Sequence, residues 1–308
     1  MDHGTVQSEV NSASSGRWLR WIGRAAALVG LVFVIWRAVH AWDGMRNALM
    51  ATSLTSVGAA TLLYVCGALL LALSWPLLLR AFACSQVPIR PLLVLHLQSQ
   101  LSKYLPGGIF HFALRHLASR SWDIPHQRLL LATATESALL VIAAGLIAST
   151  LGGQPRLATL APWLPTALAW LPGSLLVAWL LVWIWHGYWA RWLRKSIRWV
   201  SLPVVTLLDL VFFVFASIAF WLLLPYQVAP LAETAAWLCL AWMAGYLVPG
   251  APGGLGVREA VLLLGLAPTV GEPSALAAAL SYRMVTVVAD AVCAGLGHAW
   301  GPGQVASS

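Results

Sequence analysis

Long apolar runs separated by short polar or basic stretches set the pattern of the chain. The first, from Ile22 to about Trp42, is too long for a signal-peptide core and ends without a small-residue cleavage site, so it reads as an uncleaved span. Further Leu-, Ala- and Val-rich runs of about 20 residues, the length a bilayer core requires, fall at 55–79, 127–151, 164–187, 201–224 and 275–299. The pattern predicts an all-α polytopic integral membrane protein with about six full transmembrane helices. Residues 1–16 form a polar tail, 17–300 a single transmembrane domain, and 301–308 a short C-terminal tail.

Two apolar stretches, 88–120 and 231–267, are interrupted near their middles and do not fit as simple spans. The first break reads Ser102-Lys103-Tyr104-Leu105-Pro106-Gly107-Gly108; the second reads Gly245-Tyr246-Leu247-Val248-Pro249-Gly250-Ala251-Pro252-Gly253-Gly254. Each has a Tyr-Leu pair leading in, a Pro-Gly-Gly leading out, and an arginine soon after (Arg115, Arg258). Pro and Gly free backbone groups that lipid cannot satisfy, so such breaks persist only against protein or a watery cavity. A matched pair in the two halves of a membrane protein points to a substrate site at a repeat interface. Each arm is short for a full crossing, so re-entrant helical hairpins are the simpler reading, with short tilted spans as the alternative.

Composition agrees. Residues are 60% hydrophobic and 9% charged, against roughly 25% charged in a soluble domain, and mean hydropathy is +0.81. The net charge of +8 lies between apolar runs, which suits anionic lipid and the positive-inside rule better than nucleic acid. With the N-terminus inside, most Lys and Arg residues fall on cytoplasmic segments, Arg191, Arg194, Lys195 and Arg198 among them. Both termini are therefore expected in the cytoplasm of a bacterial inner membrane, and the two hairpins enter from opposite sides as an inverted repeat. Trp18, Trp21, Trp36, Trp42, Trp163, Trp189, Trp192, Trp199 and Trp300 lie near run ends, as an interfacial belt requires. The four dispersed cysteines suggest neither disulfides nor zinc.

Half-helices that begin inside the membrane present unpaired N–H groups and a positive dipole end, an anion site. Gly107, Gly108, Gly253 and Gly254 would open them. Arg115 and Arg258 could fork onto phosphate oxygens, with Lys103, Tyr104, His111 and Glu259 beside them. The competing account is that the glycines only permit tight helix packing. Glu136, Asp209, Glu259, Arg283 and Asp290 interrupt apolar helix, and each needs a partner or a task. Arg283 is a candidate partner for both Glu136 and Asp290, while Asp209 has no evident local partner and is the candidate to titrate. No HExxH, GxSxG or Walker loop occurs, so no enzyme, cofactor or metal is expected.

At the two breaks the chain resembles the lysylphosphatidylglycerol synthase/flippase transmembrane family. The segment from Gln100 to Arg115 is similar to its "KYLPGG…H…R" signature, and Pro249 to Glu259 to its "P.P.GG.G.RE" box. The resemblance runs from about residue 20 to 300 and implies movement of a lipid or lipid-linked head group between leaflets. Full-length synthases add a soluble aminoacyl-transferase domain, which this sequence lacks, so aminoacylation is not carried over. The expected partner is a membrane lipid or lipid-linked substrate, with a homo-oligomer or a biosynthetic complex left open. The alternative function is a membrane-embedded transferase or an accessory subunit in surface-polysaccharide synthesis.

Overall fold

The computed structural model describes residues 42–82, 87–104, 110–151, 177–185, 201–248 and 252–301, with scattered single positions between 28 and 40 and at 174 and 188. The described residues contain helix and no strand. In lipid this follows from backbone chemistry, because a helix satisfies its own N–H and C=O groups.

Helix α1 (Trp42–Ala51) leads into α2 (Leu54–Leu71) and α3 (Ser74–Ala81). The first broken segment is α4 (Ile89–Ser99), a 3-10 turn (Gln100–Tyr104) and α5 (Phe110–Ala118). Helix α6 (His126–Leu151) closes the first half. The second half begins with α7 (Ser201–Trp221). Its broken segment is α8 (Leu231–Leu247), a 3-10 turn (Pro252–Gly254) and α9 (Val257–Val270), and α10 (Glu272–Trp300) follows.

Four stretches are long and apolar enough to cross a bilayer: Leu54–Ala81, His126–Thr150, Ser201–Trp221 and Glu272–Trp300. They coincide with the expected spans at 55–79, 127–151, 201–224 and 275–299. The expected spans at 22–42 and 164–187 lie mostly outside the described residues, as do the polar tail 1–16 and residues 302–308. Two details differ from the sequence reading. The 55–79 run is two helices, because the chain turns at Ala72-Leu73 just before Pro76, which has no N–H to give to a continuous ladder. The polar stretch after Trp42 is itself helical, and Gly44 lets α1 lie close against Pro273 at the start of α10.

Each half therefore runs long helix, broken pair, long helix, and the packing repeats with the order. Helix α2 lies along α7, its counterpart. Helix α6 packs on α8 and α7, and α10 packs on α4 and α2, so each half's closing helix covers the other half's broken segment. Within each segment the two short helices pack on each other. At 1.5 Å per residue α4 rises about 16 Å, α8 about 25 Å and α9 about 21 Å, all short of a ~30 Å hydrocarbon core. The two 3-10 turns touch, so the hairpins meet at their broken tips.

Candidate head-group site

The meeting tips form one wall of a cavity of about 440 Å³. The first tip contributes Lys103 and Tyr104, and its outgoing helix His111 and Arg115. The second contributes Gly253, Gly254 and Arg258; Glu136, Arg283 and Asp290 reach in from α6 and α10. The two tips, 149 positions apart from Tyr104 to Gly253, are thus brought to one space because the closing helices are exchanged between halves. Gly107 and Gly108 lie outside the described residues. Glu259 lines a smaller adjoining chamber instead, and Asp209 lies apart on α7, fully buried.

The ionic contacts correct the pairing read from sequence. Arg115 is buried and donates through Nη1 to both oxygens of Glu136, at 3.2 and 2.9 Å, and to Nδ1 of His96 at 3.1 Å. Trp75 and Phe112 lie against its guanidinium, 5.1 and 5.2 Å from their ring centroids. Glu136 is therefore matched by Arg115 and not by Arg283. Asp290 likewise has other partners: Lys103 Nζ at 2.8 Å and the Tyr104 hydroxyl, which donates to it. Arg283 sits instead against the second tip. Its Nη1 donates to the Gly253 carbonyl at 2.8 Å and stands 3.7 Å from Glu259, and its guanidinium lies over the Tyr104 ring.

The glycines of the second tip have a definite role. Gly253 and Gly254 have φ of +56° and +72°, in the left-handed region where a Cβ is strained. At Gly254 the need is also one of space. A Cβ there would stand 2.6 Å from Arg258 Nε and 3.0 Å from the Gly245 Cα. Gly245 and Gly254 form a slot through which the Arg258 side chain passes. The Gly256 N–H that opens α9 is capped by Glu259 Oε2 at 2.8 Å, so this carboxylate already occupies the helix start that the sequence reading offered to a ligand.

Charge balance identifies what remains. Lys103 is matched by Asp290, Arg115 by Glu136 and Arg283 by Glu259. Arg258 has no ion pair or hydrogen bond among the described residues; its Nε is buried without a partner, and its guanidinium rests over Trp242. His111 Nδ1 is likewise unpartnered. Among the described residues that line the two chambers, the positive charge left over belongs to Arg258.

Sequence reading missed Tyr64 and Trp242 as parts of this wall, and Trp75 as the ring packed against Arg115. The available signal for Tyr64 was a phenol hydroxyl in the middle of an apolar span, which calls for a polar neighbour. Asp209 accepts a hydrogen bond from Ser74 Oγ at 3.2 Å, and its Oδ2 is unpartnered among the described residues.

Fold and site together define a multi-pass helical membrane protein with a charged internal cavity between two broken hairpins. The chain belongs to the family described as the lysylphosphatidylglycerol synthase TM region, whose sequence profile matches residues 21–293. Membership sets it among membrane proteins of lipid modification or translocation. No curated protein matches the chain.

Proposed function

We propose that this protein is a translocase that carries the anionic head group of a lipid, or of a lipid-linked glycan, between the leaflets of a bacterial inner membrane. The reading rests on one observation: Arg258 is an unmatched cation at a cavity where two hairpin tips meet. A lone buried charge is costly to a membrane protein and is retained where it has a task. An anion entering the cavity would supply the partner that the described residues do not. Arg115, expected to share this work, is held by Glu136, so it shapes the wall while Arg258 binds. The protein acts without covalent change to the lipid, and both termini lie in the cytoplasm, a reading that the Lys and Arg distribution supports.

Reconstitution tests this. Proteoliposomes holding fluorescent phosphatidylglycerol or a polyprenyl-linked phosphoglycolipid are expected to exchange it between leaflets faster than empty vesicles. Arg258→Gln should slow the exchange on the order of 10-fold, the value of one charged hydrogen-bond partner. Exchange no faster than in empty vesicles for both lipids would reject the proposal. A new lipid product on chromatography would favour a transferase instead.

A further inference from the structure

A second chamber of about 30 Å³ adjoins the cavity and shares Tyr64, Arg258 and Arg283 with it. A buried water needs roughly 10–15 Å³ on this measure, so the chamber has room for one group of phosphoryl size and none for a sugar ring. Tyr64 and Tyr282 line it, and neither phenol makes a hydrogen bond among the described residues. Both rings are held edge-on by aromatic neighbours: Tyr64 by Phe212 and Tyr282, and Tyr282 also by Phe220. Both lie within electrostatic reach of the Arg258 guanidinium. The carboxylate at this chamber, Glu259, is taken by the Gly256 N–H and stands near Arg283. Besides Arg283, which bonds the Gly253 carbonyl, the small chamber thus offers one guanidinium and two hydroxyls without a partner among the described residues, and no free acceptor charge.

The large chamber has the opposite character. Apart from Arg258 and Arg283, which it shares with the small chamber, its lining ions are matched, Lys103 to Asp290 and Arg115 to Glu136, and the rest of its wall is apolar, aromatic or uncharged, as at Leu97, Leu140, Phe112 and Gln100. Among the described residues no carboxylate there is free to receive an incoming ammonium group. A cation could be held only by displacing Lys103 or Arg115.

Given the translocase reading, on which this rests, we infer that the transported lipid is a phosphodiester whose head group is a bulky, uncharged polyol or sugar. Arg258, Tyr64 and Tyr282 hold its phosphoryl group in the small chamber, and the neutral head fills the large one. A lysyl-esterified lipid, with two added ammonium groups, is disfavoured at this site despite the family's description.

Binding to the detergent-purified full chain, followed by native mass spectrometry, separates the possibilities with four probes: phosphatidylinositol, phosphatidylglycerol, phosphatidic acid and lysylphosphatidylglycerol. Phosphatidylinositol is expected to bind best, phosphatidic acid more weakly because it leaves the large chamber empty, and the lysyl lipid on the order of 10-fold more weakly than phosphatidylinositol. Tyr64→Phe and Tyr282→Phe should each lower phosphatidylinositol affinity by roughly 3- to 10-fold, with helicity by circular dichroism unchanged. Lysyl lipid bound as tightly as phosphatidylinositol would overturn the head-group assignment and leave the Arg258 site standing. Unchanged affinity in the double phenylalanine variant would overturn the phosphoryl seat. Failure of all four lipids to bind would remove the translocase reading itself. The lipid panel needs no variant, so a misfolded mutant cannot obscure its outcome.

Discussion

The hydroxyl of Tyr104, at the tip of the first hairpin, donates a hydrogen bond to the carboxylate of Asp290 on the closing helix of the opposite half. Tyr246, which enters the second break as Tyr104 enters the first, donates to Ser137 on the closing helix of the first half at 2.8 Å. The two Tyr-Leu pairs that open the breaks therefore perform the same task on opposite sides of the cavity. The salt bridges repeat with their signs exchanged. In the first half Arg115 on the outgoing arm meets Glu136 on the next span; in the second, Glu259 on the outgoing arm faces Arg283. The pattern of contacts is preserved while the charges that make them are not.

The Arg115–Glu136 pair should be structural. Removing one partner of a buried ion pair costs about 3–5 kcal/mol, because the other is left without compensation. Glu136→Gln is expected to lower the thermal unfolding temperature of the detergent-purified protein clearly. Exchange of the two residues, Arg115→Glu with Glu136→Arg, should recover part of the loss. An unchanged melting curve for the single variant would show that the pair contributes little.

Arg258 should behave in the opposite way. It has no ion pair among the described residues, so Arg258→Gln is expected to leave the melting temperature unchanged or to raise it while lipid exchange falls. A variant that lost stability along with exchange would place Arg258 among the packing residues.

Gly254 should tolerate no side chain. Gly254→Ala adds backbone strain of about 1–3 kcal/mol at positive φ and pushes its Cβ against Arg258. Lipid exchange should be lost and thermal stability reduced. Gly58→Ala is the control, since nothing lies within 4 Å of a Cβ there and alanine favours the helix by up to about 1 kcal/mol. Equal behaviour of the two variants would count against the slot.

Asp209 bonds Ser74 and so ties α7 to α3, but one oxygen is left over. Asp209→Asn keeps the shape and the bond to Ser74 and removes the titration. If Asp209 carries a proton, the parent is expected to exchange lipid at a rate that responds to a pH gradient, and the variant to fold as the parent does and lose that response. The same dependence in both proteins would leave Asp209 a packing role alone.

Orientation can be checked directly. A cysteine placed between positions 188 and 199 should resist an impermeant maleimide added outside intact cells and react after permeabilisation. Labelling from outside would reverse the topology.

Hydropathy made the long helices and both broken segments legible. A span must be apolar along its whole length, and the Pro-Gly-Gly breaks stand out against that background. The turn before Pro76 was missed, although the proline was a signal for it. Partner choice was not legible. Glu136 shows in sequence only as a charge needing compensation, and its match to Arg115, with Arg283 committed to the second tip, depends on which helices lie side by side. The bond between Ser74 and Asp209 spans 135 positions. The residues around the two breaks were legible as candidates because the breaks mark them; the division between Arg115, which is matched, and Arg258, which has no ion pair among the described residues, required the packing.

The exchanged closing helices set a timetable for synthesis. Tyr104 and Lys103 are synthesised 186 and 187 residues before Asp290, the carboxylate that both contact. At ~5–20 residues per second the ribosome needs roughly 10–40 s to cover that distance. Throughout that interval the first hairpin has no α10 to cover it, and the lysine at its tip has no carboxylate. Whatever shields it then, whether lipid head groups, water or an insertion factor, is a passing occupant of the place that the last helix to be made will take.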